Sequence, residues 1–255
     1  MKVACFVNNR LGCQAVEWLR LNGDTIVALV IHEETRRKYG VDICAAAGVS
    51  AAATFEAAEL AGPQGVQRLG ACGADVGLSV LFGYRLAPAV IGLFPRGCFN
   101  LHPALLPFNR GADPNVWAIV EGSPAGTTLH WMDEGIDTGP IVAQREVPVA
   151  STDTAATLYR RLEDESLALL AEAWPLVASG RAPRTPQPAG GSTHRRADLQ
   201  RINRIEPDRL YRGQELIDLL RAQTFPPHAG MTLERGGRRV SVRVELAYED
   251  ESSDR

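Results

Sequence analysis

Between residues 98 and 149 the chain reads CFNLHPALLPFNRGADPNVWAIVEGSPAGTTLHWMDEGIDTGPIVAQREVPV, and three polar side chains in it could act together. Asn100 and His102 lie two apart in a short apolar run, 98–101, so on a strand they project from one face of the pleat. Asp137 sits in a tight loop, DEGIDTG. An amide NH2 and an imidazole N–H can both donate to an oxygen, and a carboxylate can orient an imidazole or offset its charge. Strand ends and constrained loops are where such groups converge on a substrate. Each is ordinary alone: a single His at a strand end is commonly structural, and a single Asp in a Gly-rich loop is commonly turn chemistry. Their conjunction is what points to a site.

The flanking sequence supplies the elements that must position them. Pro103 and Pro107 end the first strand and stiffen the segment after it, a helix pattern spans 114–121, and a second strand spans 127–132. A further strand is expected over 140–149, with Pro148 marking a sheet edge. Upstream, apolar runs at 3–7 and 25–31 enclose a helix pattern at 13–21, a strand–helix–strand unit that implies a parallel sheet. Signals over 39–75 are weaker: a helix at 42–47, a strand at 49–54 and a helix at 65–71. A buried strand at 76–82 runs into FGYRLAP, where Pro88 suits the first turn of a helix. A long amphipathic helix is expected over 154–178, interrupted near Pro175. SGRAPRTPQPAGGSTHRR then has linker composition. Beyond it come a helix at 213–222, a Phe225-Pro226-Pro227 break, and strands at 230–234 and 239–246 joined across Gly236-Gly237. The acidic tail, 249–255, is expected to be disordered. The boundaries are thus a catalytic domain at 1–180, a linker at 181–197 and a small α+β module at 198–255.

With 255 residues, 45% hydrophobic content and a net charge of -3, the chain suits a globular protein with a sizeable core and argues against a nucleic-acid partner. No apolar run has the length of a membrane span, and only Lys2 precedes the first strand, so the reading is cytoplasmic. Cys5, Cys13, Cys44, Cys72 and Cys98 are scattered without C-x-x-C spacing. They read as small hydrophobes in a reduced compartment, with neither a disulfide framework nor a metal site. At the end of the first strand Asn8, Asn9 and Arg10 can hold an anion or a sugar hydroxyl. The Asn pair can equally shape a turn. Only Gly12 of a dinucleotide fingerprint is present there, which argues against nicotinamide or flavin.

Taken together, Asn100-Leu101-His102-Pro103, Leu105-Leu106-Pro107, Arg110-Gly111 and Asp133-Glu134-Gly135-Ile136-Asp137-Thr138-Gly139 resemble the signature of folate-dependent formyltransferases. That family includes glycinamide ribonucleotide, methionyl-tRNA and nucleotide-sugar N-formyltransferases. The resemblance covers roughly the first 180 residues. It implies a Rossmann-like, mostly parallel α/β sheet with helices on both faces, and N10-formyltetrahydrofolate as co-substrate without a metal. It also implies Asn100, His102 and Asp137 as catalytic residues. In acyl transfer, donors such as Asn100 and His102 would stabilise the oxygen of a tetrahedral intermediate, with Asp137 supporting His102. The resemblance places folate against Phe82, Gly83, Tyr84 and Leu86 and against Asp133, Gly135 and Ile136. The acceptor falls to Asn8, Asn9, Arg10, Arg110 and Gly111, with Asp113 and Asn115 as specificity candidates. Asp113 can equally cap a helix started by Pro114.

The Asn8–Arg10 segment departs from the Gly/Ser-rich phosphate loop of glycinamide ribonucleotide formyltransferases. The short C-terminal part, with mixed charge, differs from the larger basic domain of methionyl-tRNA formyltransferases and resembles the module of nucleotide-sugar N-formyltransferases. The expected activity is formyl transfer to a primary amine of a small molecule, a nucleotide-linked amino sugar. Alternatives are another amine in specialised metabolism and a folate- or nucleotide-binding protein without catalysis. The apolar residues of the module are expected to pack on the large domain or on a second subunit, leaving a homodimer open.

Overall fold

Val3, Ala4, Cys5, Phe6 and Val7 are all buried, as a continuous apolar run requires of a strand covered on both faces. A computed structural model describes residues 1–249, so all but the first residue of the acidic tail lies outside the described residues. In chain order the first half comprises β1 (Lys2–Val7), α1 (Asn9–Leu21), β2 (Thr25–Ile31), α2 (Gly40–Ala47), β3 (Thr54–Glu56), α3 (Pro63–Ala71), β4 (Val76–Val80), α4 (Pro88–Ile91) and β5 (Cys98–His102). There follow β6 (Arg110–Gly111), α5 (Pro114–Glu121), β7 (Gly126–Trp131), β8 (Ile141–Glu146), α6 (Ala155–Ala178), β9 (Thr193–His194), α7 (Gly213–Ala222), β10 (Met231–Arg235) and β11 (Arg238–Val242).

Seven strands form one sheet in the order β3-β2-β1-β4-β5-β7-β8. The pairs from β3 to β5 are parallel, whereas β7 is antiparallel to β5 and β8 to β7. Alternate residues of β1 serve the two faces. Val3, Cys5 and Val7 pack with Leu11, Val16 and Leu19 of α1 and Leu170 and Trp174 of α6. Ala4 and Phe6 pack with Leu69 of α3, Val90 of α4, Phe82 and Phe94. Helices on both faces are what a buried parallel sheet requires. Asp24 ties the ends of this core together, accepting from the Met1 amino group at 2.7 Å and from Trp174 Nε1 at 2.9 Å.

Three local differences from the sequence reading have physical causes. Helix α1 begins at Asn9 rather than at 13, because Leu11 and Gly12 are already buried against the sheet. The expected strand at 49–54 is a 3-10 turn, Ala51–Ala53, followed by β3, whose Phe55 fills the core. Helix α6 continues through Pro175 to Ala178, with buried Trp174 and Val177 holding its last turn against the sheet. In the C-terminal part, Gly236 and Gly237 both have positive φ, +58° and +70°, as the tight turn between β10 and β11 demands. Arg221 of α7 docks this module by donating to Ala150 O and Asp153 O, each at 3.0 Å. No described helix is long and apolar enough to cross a membrane.

Trp174 is fully buried and joins helix, sheet and N-terminus. Trp174→Ala is expected to lower stability by about 3–5 kcal/mol, seen as a lower urea midpoint with an unchanged slope.

Candidate active site

Strand β5 brings Asn100 and His102 to one face of the sheet, and its antiparallel register with β7 sets Asn100 opposite His130 and His102 opposite Thr128. After β7 the chain turns sharply. Asp133 Oδ1 accepts from Gly135 N at 3.0 Å and from Thr138 Oγ1 at 2.7 Å. Gly139 closes the turn where a Cβ would lie 1.8 Å from Trp131 O, leaving no room for a side chain. The turn holds Asp137 at φ +53°, a left-handed conformation costing a non-glycine residue about 1–2 kcal/mol. What the cost achieves is aim: the carboxylate points back at β5 and β7.

Asp137 Oδ1 accepts from Asn100 Nδ2 at 3.0 Å and lies 3.5 Å from His130 Nε2. Oδ2 accepts from Gly111 N at 2.8 Å and lies 3.6 Å from His102 Nε2. Burial alone would raise the Asp137 pKa, but His102, His130 and the Gly111 N–H reverse it and hold the carboxyl well below the usual range. Gly111 is itself required, since at φ +89° a Cβ would sit 2.3 Å from His194 O.

Carbonyl partners settle which ring nitrogens carry protons. His102 Nε2 lies 3.1 Å from Asn109 O, so Nε2 bears the hydrogen, and Nδ1 has no hydrogen-bond partner among the described residues. His130 Nδ1 lies 2.8 Å from Trp131 O and so bears a hydrogen, while its Nε2 lies 3.3 Å from Asn100 Nδ2 and 3.5 Å from Asp137 Oδ1. The arrangement thus offers an amide donor, an imidazole with one free nitrogen, and an ionised carboxylate beside both.

The two segments expected to line a cofactor pocket face each other: the Arg85 guanidinium donates to Glu134 O. Phe82 and Leu86 are buried and pack on the sheet, Gly83 turns at φ +70°, and Ile136 is half exposed on the opposite loop. Tyr84 Oη donates to Glu33 Oε2 at 2.6 Å. The expected acceptor residues are largely engaged within the protein. Asn8 Oδ1 accepts from Lys38 N at 2.8 Å and its Nδ2 donates to His32 Nδ1 at 3.2 Å. Asn9 opens α1 at φ +63°. Arg10 donates to Glu163 Oε2 from Nε at 3.0 Å and Nη2 at 2.8 Å. Arg110 donates to Gln187 Oε1 from Nε at 3.0 Å and Nη2 at 2.6 Å.

Asp113 stands at the cap position of α5 at φ +56°, but its side chain makes no cap hydrogen bond and its Oδ2 is buried with no partner among the described residues. Asn115 is buried and donates to Ala155 O at 2.9 Å, joining α5 to α6. The Pro- and Gly-rich stretch with linker composition runs as a strap along the site. Trp131 Nε1 donates to Pro183 O, Thr185 bridges to Ile141, and β9 pairs in parallel with β6. Two residues near Asp137 escape the sequence reading. His130 can be found only through the β5–β7 register, and Gln187 only by asking why a glutamine stands between two prolines.

Residues 2–174 match the formyl transferase family, and residues 198–248 match the N-formyltransferase dimerization C-terminal domain. The chain belongs to the formyl transferase family. Among solved structures, this formyltransferase is similar to a 4-N formyltransferase from Francisella tularensis, with 23% identity, a TM-score of 0.83, and 97% of this chain and 98% of that one covered. It is also similar to a sugar N-formyltransferase from Shewanella sp., with 21% identity, a TM-score of 0.85, and coverage of 98% and 99%. At such identities the likeness is one of fold. A third is a formyltransferase from Anoxybacillus kamchatkensis in complex with UDP-4,6-dideoxy-4-formamido-L-AltNAc and tetrahydrofolate. There the identity is 29%, the TM-score 0.57 and the coverage 79% and 89%. The family match agrees with the resemblance carried by the Asn100-to-Gly139 motifs.

A carboxyl with a depressed folded pKa adds stability that is complete above about pH 5 and is lost as pH falls below the ordinary value of about 3.9. The stability difference between the formyltransferase and its Asp137→Asn variant is therefore expected to be smaller at pH 3 than at pH 5. Urea titrations across that range measure it.

Proposed function

We propose that this formyltransferase moves the formyl group of N10-formyltetrahydrofolate to the primary amine of a nucleotide-linked amino sugar. The observation that carries the reading is the convergence of Asn100, His102 and Asp137 on one point at the carboxyl end of β5, with the 82–86 and 133–136 segments joined through Arg85 and Glu134. We assign the pterin to these two segments, where Gly83 turns at φ +70° and Ile136 is half exposed. Bound folate supplies an activated formyl carbon.

The chain's residues account for the rest. Asn100 Nδ2 turns one hydrogen from its present partners toward the formyl oxygen as negative charge develops there. A donor placed in this way is worth about 3 kcal/mol in acyl transfer. His102, with Nε2 held by Asn109 O, presents Nδ1. Neutral, Nδ1 takes the proton of the attacking amine; protonated, it donates to the same oxygen or to N10 as the bond to folate breaks. Asp137, already ionised, lies 3.6 Å from His102 Nε2 and offsets the charge that forms on the ring as the proton moves. The products balance as a formamide and tetrahydrofolate.

The nucleotide-sugar acceptor draws on the ligands of the Anoxybacillus relative and on the C-terminal domain match. The match to a dimerization domain also supports self-association of this chain. Turnover of N10-formyltetrahydrofolate, followed by absorbance against a panel of nucleotide-linked amino sugars and a control without acceptor, tests the reading. Loss of formyl only with an amino sugar is expected. Loss without acceptor would make the protein a hydrolase, and loss only with other amines would move the acceptor class. In the same assay His102→Ala and Asp137→Ala are each expected to lower kcat by at least about a hundredfold with folate affinity nearly unchanged.

A further inference from the structure

Gln187 stands in the strap between α6 and the C-terminal module, with Pro186 before it and Pro188 after it. A proline restricts the residue preceding it to extended backbone, so Thr185 and Gln187 are ordered at little entropic cost. Thr185 exchanges two backbone hydrogen bonds with Ile141, at 2.8 and 3.1 Å, which anchors the strap beside the start of β8. Gln187 is half-buried there while its neighbours on either side are exposed.

Its amide uses its full capacity. Nε2 donates to Asp137 O at 2.7 Å and to Gly139 O at 2.9 Å. Oε1 accepts both hydrogen bonds from Arg110, at 3.0 and 2.6 Å. Two donors and two acceptor positions are all that a glutamine has. The carbonyls it holds belong to the left-handed turn that aims Asp137. The arginine it holds adjoins Gly111, whose N–H completes the shell of the same carboxylate. One side chain therefore joins the two segments that grip Asp137 from opposite sides.

We propose that Gln187 is a positioning residue of the active site, fixing the Asp137 turn against the Arg110–Gly111 strand so that the carboxylate faces Asn100, His102 and His130. The inference rests on the catalytic role proposed for Asp137. The test uses the full chain with Gln187→Ala, Gln187→Glu and, as a control for loosening the strap elsewhere, Arg184→Ala. Arg184 stacks on Trp131 with its guanidinium 3.6 Å from the ring centre and touches none of the catalytic groups.

In Gln187→Ala, kcat is expected to fall at least about tenfold while KM for N10-formyltetrahydrofolate stays within about twofold. Gln187→Glu keeps a partner for Arg110 but sets a carboxylate oxygen against two carbonyls, and kcat should fall as far. Arg184→Ala should lower the melting temperature and leave kcat unchanged. A readout that needs no turnover is the carbon-13 NMR titration of the Asp137 carboxyl, assigned by its absence in Asp137→Asn. It should titrate well below the ordinary range in the parent and move upward in Gln187→Ala. If the titration moves but the parent turns over no amine, the positioning role stands and the proposed reaction fails. An unchanged titration and kcat in folded Gln187→Ala overturns the proposal, as does an equal loss of kcat in Arg184→Ala. Should Gln187→Ala fail to fold, Gln187→Glu carries both readouts with the same outcomes.

Discussion

The site depends on keeping one carboxylate ionised while nearly buried. Asp137 has left most of its hydration, and an uncompensated charge there would cost several kcal/mol. It is compensated from two sides. Asn100 and the two histidines approach from the sheet, and Gly111 N–H from the adjoining strand. Each partner also constrains another: Asn100 bridges Asp137 to His130, and His102 is divided between Asp137 and Asn109. Such a network is costly when half satisfied and rigid when complete. The strained backbone at Asp137 is tolerated because so many groups determine it.

The fold supplies those directions through one topological change. Up to β5 the sheet is parallel, and a further parallel strand would have carried its own loop to the same end. Instead β7 returns antiparallel, so His130 comes to rest beside Asn100 and the turn after β7 need not be long. That turn must still reach back across the end of β5. Asp133 tightens it from within, while Gly139 allows it to press against Trp131 O. Outer support comes from the strap, whose β9 also pairs with β6 and so secures Gly111. Catalytic groups on strands and short braced turns are held more precisely than groups on free loops.

Much of this is legible in the amino-acid sequence. Patterns of period two and 3.6 locate most strands and helices, because burial on one or both faces leaves that trace in the residues. Asn100, His102 and Asp137 can be named because motif and spacing place them. The shortfall is of another kind. His130 shows nothing locally, since its meaning lies in a register between two strands. The linker composition of 181–197 suggests freedom, yet Pro186 and Pro188 serve equally to stiffen a segment that docks, and composition cannot tell the two apart. Asn8, Arg10 and Asn115 look open to a ligand because the sequence does not reveal which polar groups find partners inside the protein.

For Arg10 that last distinction can be decided by magnitude. Its Nε and Nη2 both donate to Glu163, whose side chain is only 4% exposed. An acceptor phosphate that drew both hydrogens away would leave a buried carboxylate unpaired, at a cost of about 3–5 kcal/mol. Two charge-assisted hydrogen bonds to an exposed phosphate would return about 3–6 kcal/mol, a sum that only matches the pairing they would break. Nothing therefore drives the exchange of the Glu163 pair. An acceptor can instead be met by Nη1 and by the second Nη2 hydrogen, which now goes to exposed Asp164 at 3.3 Å, so the direction of Arg10 is set by α6 before any ligand arrives.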